Sequence, residues 1–564
     1  MHIPFVYKKY IIDYFNENKK SLLIYLIIIF ILYPIESILV SKVKANLFTS
    51  LDFSKNNSKS FFQNPIFKSI IILCVVYLII IILNTIIKYL SSNLYNTYSS
   101  FISKEIFEKT ISNYQEQYED IKIGKYITRL SNLTNELKSF LRHILSSLLI
   151  EFIIMTFISF YLLTINTKIG IVIIITYILF GVTSYFYSQY IIKKSTEEAE
   201  LLSDINENIS DNLSNLMNIY INNEHETEIE KYKNSSDSYS NKLKNVENIA
   251  NFYVVCMNIL ALTAFFIIMF ILFNEYKDKK VDKNLFIFIV GLITIYLVSF
   301  YKLNKESAFM FYKIGNINSY NSFVESISKN TDNNMQNYNK LKNIDFNGGI
   351  LLSNISFKYN SDNDLDSNDF IFNNFTLHIG SNKITGILGS SGSGKTTLSK
   401  LIMKLYKLNS GQILINNVDI QYIDTNYLRS NIVYVNQRTT LYSKTVIENI
   451  MYGNNHLSEA DVLRFMKRYD LLDIYSRLDK GIYSECGVGG SFLSIGMQKI
   501  IILLRAILKS NYKIIIFDEP LAGIDKNNRI KIIEMIKDIS KNRTVIIITH
   551  DEDILPICDS ITRL

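Results

Sequence analysis

Tryptophan is missing from this chain of 564 residues, and proline occurs only five times. With no indole to sit at a membrane–water boundary, that anchoring would fall to the 38 tyrosines. The four cysteines, Cys74, Cys256, Cys486 and Cys558, stand far apart without metal-ligand spacing, which excludes a disulfide framework. No cleavable signal precedes the first apolar run. The segment His2–Lys20 has no arginine and includes Asp13 and Glu17, unlike a mitochondrial transit peptide. It is expected to lie along a membrane as an amphipathic elbow. A formal net charge of +7 is small for this length, and the lysines are spread along solvated helices. That pattern argues against a nucleic-acid partner.

What the chain does have is segregated hydrophobicity. Mean hydropathy is +0.14 although 20% of the residues are charged, so apolar side chains must be concentrated in blocks. Six blocks, near 21–40, 67–90, 144–165, 169–192, 249–273 and 285–303, are each long enough to cross a hydrocarbon core of ~30 Å as a helix. A lipid bilayer is therefore the expected surrounding. Two charged segments, 91–139 and 193–248, contain no proline and, apart from Gly124, no glycine. They are expected to continue as long helices outside the bilayer. Six crossings place both termini on one side. The loop after the first block carries Lys42, Lys44, Lys55, Lys59 and Lys68, against the usual positive-inside trend, so the lysine count does not set the orientation. Glu36 and Glu151 lie inside apolar blocks, where an ionised carboxylate costs about 2.5–3.5 kcal/mol on insertion scales. Both are expected to face a cavity or a neighbouring helix. Lys193 and Lys194, at the inner end of the fourth block, would either attract an anionic cargo or snorkel to the interface.

Beyond a polar linker at 329–342 the texture changes to short apolar runs broken by turns. Strands are expected at 350–359, 383–388, 412–415, 432–435, 513–517 and 544–548. The fold class that follows is an all-α six-helix transmembrane domain over 1–328 and an α/β nucleotide-binding domain over 343–564. The loop Gly389-Ser390-Ser391-Gly392-Ser393-Gly394-Lys395-Thr396, followed by Thr397, has the spacing of a phosphate cradle. Its backbone amides hold phosphates, Lys395 reaches the terminal ones, and the Thr396 hydroxyl holds Mg²⁺. The run 513–517 ends in Asp518 and Glu519. Asp518 is placed to hold Mg²⁺ through water, and Glu519 to polarise an attacking water.

These motifs resemble the ABC transporter family over essentially the whole chain, in the form of a half-size exporter with a type IV-like transmembrane domain. The resemblance implies ATP and Mg²⁺ as cofactors and transport-coupled ATP hydrolysis. It also implies residue roles: Tyr359 stacks on adenine, Gln437 touches Mg²⁺ and links the site to the membrane domain, and Glu519 is catalytic with Lys395. Asp525 is similar to the loop aspartate after the catalytic carboxylate, and His550 to the switch histidine on the γ-phosphate. The family signature Leu-Ser-Gly-Gly-Gln is matched by Leu493-Ser494-Ile495-Gly496-Met497, with Arg505 fixing the register. In the family, Ser494 and Gly496 would serve the ATP of a second subunit, so a dimer is implied, most simply a homodimer. Met497 in place of glutamine and Val488 in place of a glutamate depart from the pattern, and bear on hydrolysis and coupling rather than on binding.

Within the family, Ile219–Glu224 with Tyr232 and Tyr239 is similar to a coupling region of the mitochondrial ATM-type exporters. Leu149-Ile150-Glu151 and Lys193-Lys194 are similar to further segments of that group. The Asn-x-Gly-Gln element of those proteins has no counterpart in Asn251–Asn258. This narrower resemblance implies a small glutathione-linked sulfur cargo, a tie to iron–sulfur cluster assembly and a mitochondrial-type inner membrane, with the plasma membrane as the alternative. Coupling loops are expected near Asn113–Asp120 and Met217–Glu224. Export of lipid or peptide, or service as the weakly hydrolysing half of a heterodimer, are the alternatives on function.

Overall fold

The computed structural model describes residues 5–53, 65–113, 123–328, 341–359, 370–390, 392–436 and 439–564. They fall into two compact units, the helices through Ser328 in one and the strands from Ile350 in the other.

The first unit contains α1 (Phe5–Glu17), α2 (Lys19–Pro34), α3 (Val40–Phe53), α4 (Pro65–Asn113), α5 (Ile123–His143), α6 (Leu149–Ile165) and α7 (Thr167–Ser214). After these come α8 (Leu216–Ile221), α9 (His225–Lys277), α10 (Lys283–Asn318) and α11 (Asn321–Ser328). The apolar blocks are the middles of much longer helices: α4 has 49 residues, α7 48 and α9 53. At ~1.5 Å per residue each extends well past a ~30 Å core, as the proline-free charged segments require. Among the described residues six helical runs are long and apolar enough to cross a membrane, and α4 leaves Ile70, Ile71, Leu78 and Ile81 exposed. Such a band is suited to lipid tails.

Two of the six runs are interrupted by five-residue π turns, Ile35–Leu39 between α2 and α3 and Ile144–Leu148 between α5 and α6. The first follows Pro34, which cannot donate a backbone hydrogen bond and so loosens the helix there. In the second, the buried Tyr25 hydroxyl donates to the Leu145 carbonyl. The segment expected to form an elbow is helical as α1, and its tyrosine face is covered by protein. Tyr7, Tyr10 and Tyr14 are buried, and the Tyr14 hydroxyl donates to the Leu94 carbonyl at 2.6 Å. At the other end of the bundle, Asn166 caps α7 by accepting from the Lys168 and Ile169 amides at 3.0 and 3.2 Å. That cap allows the tight reversal from α6.

Among the described residues, two ion pairs and a histidine–carboxylate contact join α10 to the helix formed by α5, the second π turn and α6. Lys302 meets Glu151 at 3.3 Å, Glu306 meets His143 at 3.0 Å, and Lys313 meets Glu136 at 2.8 Å. Glu151 therefore faces a neighbouring helix, as its place in an apolar block requires. Of the expected coupling loops, α8 forms within the second, with Met217, Tyr220 and Ile221 exposed. Residues 114–120 of the first lie outside the described residues.

The second unit contains β1 (Ile350–Phe357), β2 (Phe372–Ile379), β3 (Ile384–Leu388), α12 (Lys395–Ile402), β4 (Ser410–Ile415), β5 (Val418–Asp419), α13 (Thr425–Asn431) and β6 (Ile432–Val435). It continues with α14 (Val446–Met451), α15 (Glu459–Arg468), α16 (Ile495–Ile507), β7 (Ile514–Asp518), α17 (Lys526–Ile539), β8 (Thr544–Ile548) and β9 (Ser560–Arg563). An antiparallel sheet runs β2-β1-β4-β5, and a parallel sheet runs β6-β7-β8-β3-β9. Every residue of β7 and β8 is buried, which is why these strands read as unbroken Ile and Val runs. The C-terminal ends of β3 and β7 lie on the same edge, one strand apart, and set the phosphate loop beside the two carboxylates.

Arg505 ties α16 to α14: it donates to the Asn449 carbonyl at 2.7 Å and to the Asn449 side chain at 2.8 Å, with its guanidinium 5.6 and 5.5 Å from the ring centroids of Tyr442 and Tyr452. Arg505→Ala leaves both acceptors without that donor and is expected to cost about 2–3 kcal/mol. A thermal melt of the full-length protein should show its first transition at a lower temperature than wild type.

Candidate functional site

The phosphate loop owes its shape to two glycines in the left-handed region, Gly392 at φ +87° and Gly394 at φ +90°. A Cβ on Gly394 would come within 2.7 Å of Ile371 and 2.9 Å of Phe372, so no larger residue fits there. The Lys395 ammonium folds back over the loop and donates to the Gly389 and Ser390 carbonyls, each at 2.8 Å. The Ser393 hydroxyl is buried without a partner. Gly389, Gly392, Gly394, Lys395, Thr396, Thr397, Asp518, Glu519 and His550 all line one cavity of about 480 Å³. Six of these come from the loop and the start of α12, three from the ends of β7 and β8 and the residues just beyond them. Sequence positions as far apart as 389 and 550 are thus brought together.

Asp518 is 1% exposed, and one of its oxygens accepts from the Thr396 hydroxyl at 3.0 Å and from the Tyr434 hydroxyl at 3.1 Å. Behind it the buried Lys499 ammonium reaches the Asp518 backbone carbonyl at 3.4 Å. Glu519 has a left-handed backbone, φ +50°, an uncommon state for a residue with a side chain and one found at functional turns. Its carboxylate meets the His550 ring at 2.8 Å and accepts from the Thr549 hydroxyl at 3.3 Å. The two neighbouring acids therefore point into different networks. Burial pushes the Asp518 carboxyl above its usual range and Glu519 adds to this, while Thr396, Tyr434 and Lys499 oppose it. Burial also pulls the Lys499 ammonium below its usual range, against the two acids.

Tyr359 is 40% exposed, stands edge-on to Phe357 and Tyr406, and hydrogen-bonds Thr397 at 3.1 Å. Ser494 caps α16, accepting from the Met497 amide at 3.3 Å, and a Cβ on Gly496 would come within 3.0 Å of the Gly523 carbonyl. The Met497 thioether packs on the main hydrophobic core of this unit, and the Met497 carbonyl accepts from Tyr475 at 2.9 Å. Its loss of polarity thus leaves the helix start intact. Asp525 caps α17 through the Asn528 amide, a bond that holds its carboxyl below the usual range. Ser391 and Gln437 lie outside the described residues. Sequence reasoning missed Tyr434, Lys499 and Thr549. A tyrosine between two valines of a buried strand, and a lysine opening an Ile-rich helix run, were the available signals.

Because burial raises the Asp518 carboxyl, the folded domain holds a proton there more tightly than the unfolded chain does. That contribution to stability is present below the ordinary aspartate range and is lost as the pH rises through the folded value. Asp518→Asn removes the burden at neutral pH. A higher melting temperature than wild type is expected at pH 7 without nucleotide, with the gap closing toward pH 4. An unchanged melting temperature at pH 7 would contradict this account of the buried charge.

Residues 372–522 match the family described as ABC transporter, and residues 22–300 match the ABC transporter transmembrane region. Together these cover about three quarters of the chain. The chain is 28% identical over 495 residues to an export ATP-binding/permease homologue of Rickettsia prowazekii, covering 86% of this chain and 82% of that protein. It is 36% identical over 213 residues to the alpha-hemolysin translocation ATP-binding protein of Escherichia coli, 38% of this chain and 29% of that one. Its fold is similar to that of a bacterial Atm1-family ABC exporter with ATP bound. The TM-score is 0.81 at 16% identity, over 97% of this chain and 94% of the other. The chain therefore belongs to the ABC transporters: it is a multi-pass membrane protein in which a six-helix transmembrane region precedes an ATP-binding domain, and it couples ATP hydrolysis to transport.

Proposed function

We propose that two copies of this chain form one exporter and that each copy completes the other's nucleotide site. The observation that carries this reading is a division of labour within the chain. The loop, Asp518, Glu519 and His550 converge on one cavity, while Ser494 and Gly496 are not among the residues lining it. They stand instead at the first turn of α16, where free backbone amides favour a phosphate. A facing second copy supplies that turn to the open side of the cavity.

Within each site Lys395 and the loop amides bind the phosphates, and Tyr359 offers its exposed ring to adenine. The Glu519 carboxylate takes up a proton from the attacking water while His550, bonded to it, holds it in place. The roles implied by the family for Asp525 and Gln437 belong to the same proposal. Thr396 and Asp518 supply hard oxygen donors of the kind Mg²⁺ takes, in a protein whose described residues include no cluster of three or more metal-ligating groups. Such a pair suits an ion that shares its ligands with a substrate phosphate. Bound there, the ion would supply neutralisation of the charge on the transferred phosphoryl group.

The proposed cargo is a small compound, a glutathione-linked sulfur species being the first candidate, supported by the fold's likeness to an Atm1-family exporter. The Rickettsia relatives favour a bacterial plasma membrane over a mitochondrial inner membrane as the setting, and with it a looser tie to iron–sulfur assembly. A second reading, the weakly hydrolysing partner in a heterodimer, rests on the apolar Met497 side chain packed on the core.

Glu519→Gln is expected to retain ATP binding, form an ATP-dependent dimer by light scattering, and lose turnover by ~100-fold or more. Full turnover in that variant removes Glu519 from its role. Met497→Gln separates the two readings: little change from a robust starting rate supports the self-sufficient homodimer, whereas a large gain supports the regulatory half. Oxidised glutathione should stimulate the wild-type ATPase more than lipids do, and a flat response counts against the sulfur cargo.

A further inference from the structure

The direction of the Glu519 carboxylate depends on one backbone unit, the peptide that joins it to Asp518. Two local forces oppose the φ of +50° at Glu519. In the left-handed region Cβ crowds the following carbonyl oxygen. Pro520 comes next in the chain, and a residue before proline is pushed toward an extended backbone. A conformation disfavoured in this way persists only where its surroundings hold it.

Among the described residues, three hydrogen bonds hold this backbone. The Glu519 amide donates to the Ile548 carbonyl at 2.9 Å, and the Glu519 carbonyl accepts from the Ala522 amide at 3.4 Å. The third bond grips the other end of the same peptide. Because the Glu519 N–H faces β8, the Asp518 carbonyl of that trans peptide faces the opposite way, toward β6. There β6 ends at Val435, opposite Phe517, and the buried Lys499 ammonium donates to the Asp518 carbonyl at 3.4 Å. Flipping the peptide would change φ of Glu519 together with ψ of Asp518 and would break the bonds at both ends. Two of the three bonds join backbone to backbone and survive most substitutions. The Lys499 bond alone depends on a side chain. Its position on α16 lies among buried isoleucines and leucines, where an ammonium is costly and an apolar residue would fill the space.

We infer that Lys499 is a positioning residue for the Glu519 carboxylate. Its ammonium fixes the Asp518–Glu519 peptide, and that peptide sets the carboxylate against Thr549 and His550. Lys499 lies about 4.5 Å along α16 from Gly496. The helix that presents Ser494 and Gly496 at its first turn therefore also holds the glutamate of its own site. The effect on turnover rests on the reading of Glu519 as the base; the grip on the peptide does not.

The test compares wild type, Lys499→Met, Glu519→Gln and the double variant as full-length proteins in phosphatidylcholine nanodiscs. Methionine keeps an unbranched apolar chain and removes both the donors and the charge. Without nucleotide, hydrogen exchange at the Glu519 amide should run at least about tenfold faster in Lys499→Met, with Ile515 and Ile516 of β7 as protected as in wild type. The ATPase kcat should fall at least about tenfold while KM for ATP stays within about threefold. Added to Glu519→Gln, the same change should alter the residual rate less than about twofold, because the group it positions is already gone. A side chain that only supports the fold would instead speed exchange throughout β7 and lower the rate equally in both backgrounds. Should Lys499→Met fold poorly, Lys499→Arg keeps a donor and the charge. A protected Glu519 amide and near wild-type kcat are expected there, and losses equal to those of Lys499→Met overturn the proposal. Unchanged exchange at Glu519 overturns it too, as does an unchanged kcat in Lys499→Met while Glu519→Gln is inactive. Full turnover in Glu519→Gln removes the base reading instead, and hydrogen exchange then judges the Lys499 contact alone.

Discussion

The Asp518 carboxylate is almost wholly removed from water, and the catalytic half of the molecule is organised around that fact. Thr396, Tyr434 and Lys499 each contribute a donor or a positive charge to it. They arrive from α12, β6 and α16, so the elements that hold the carboxylate are also those that fix the phosphate loop, the strand before Gln437 and the signature helix. Changes at any one of these elements would be felt at the acid. The neighbouring Glu519 escapes this network only because its left-handed backbone turns the side chain toward β8, where Thr549 and His550 receive it.

The membrane unit meets the same cost of charge in a medium of low polarity by pairing. Glu151, inside an apolar block, finds Lys302 on α10, and beyond the blocks Glu136 and His143 find partners on the same helix. Hydroxyls of Ser37, Ser41 and Thr176 return to backbone carbonyls of their own helices, which satisfies them without reaching lipid. Apolar residues do the reverse and crowd the outer faces of α4 and α7.

Much of this was legible in the order of residues. Six apolar blocks announced the crossings, and the lack of proline and glycine in 91–139 and 193–248 announced helices running far beyond them. The loop glycines and the acid pair announced the cavity, because the backbone geometry each requires leaves few alternatives. Three strands were missed for physical reasons. β2 begins Phe-Asn-Asn-Phe and lies at a sheet edge, where no alternation is imposed; β5 has two residues; β9 ends in Thr562 and Arg563 at the other sheet's edge. Lys302 was overlooked as a partner for Glu151 because contacts between helices 151 residues apart in sequence leave no local periodic trace. Tyr434 was hidden the same way: its strand position was clear, but the acid across the sheet was not.

The three side-chain contacts along α10 have a mechanical consequence. Lys302 and Glu306 are one turn apart, and their partners Glu151 and His143 lie on the opposing antiparallel helix. Sliding α10 by one turn toward Glu151 would set Glu306 against it, acid on acid, and move Lys302 out of reach. The register is thereby locked, and α10 is obliged to travel with α5 and α6 as one rod. Whatever rearrangement accompanies a pumping stroke must then bend at the joints on either side of that rod.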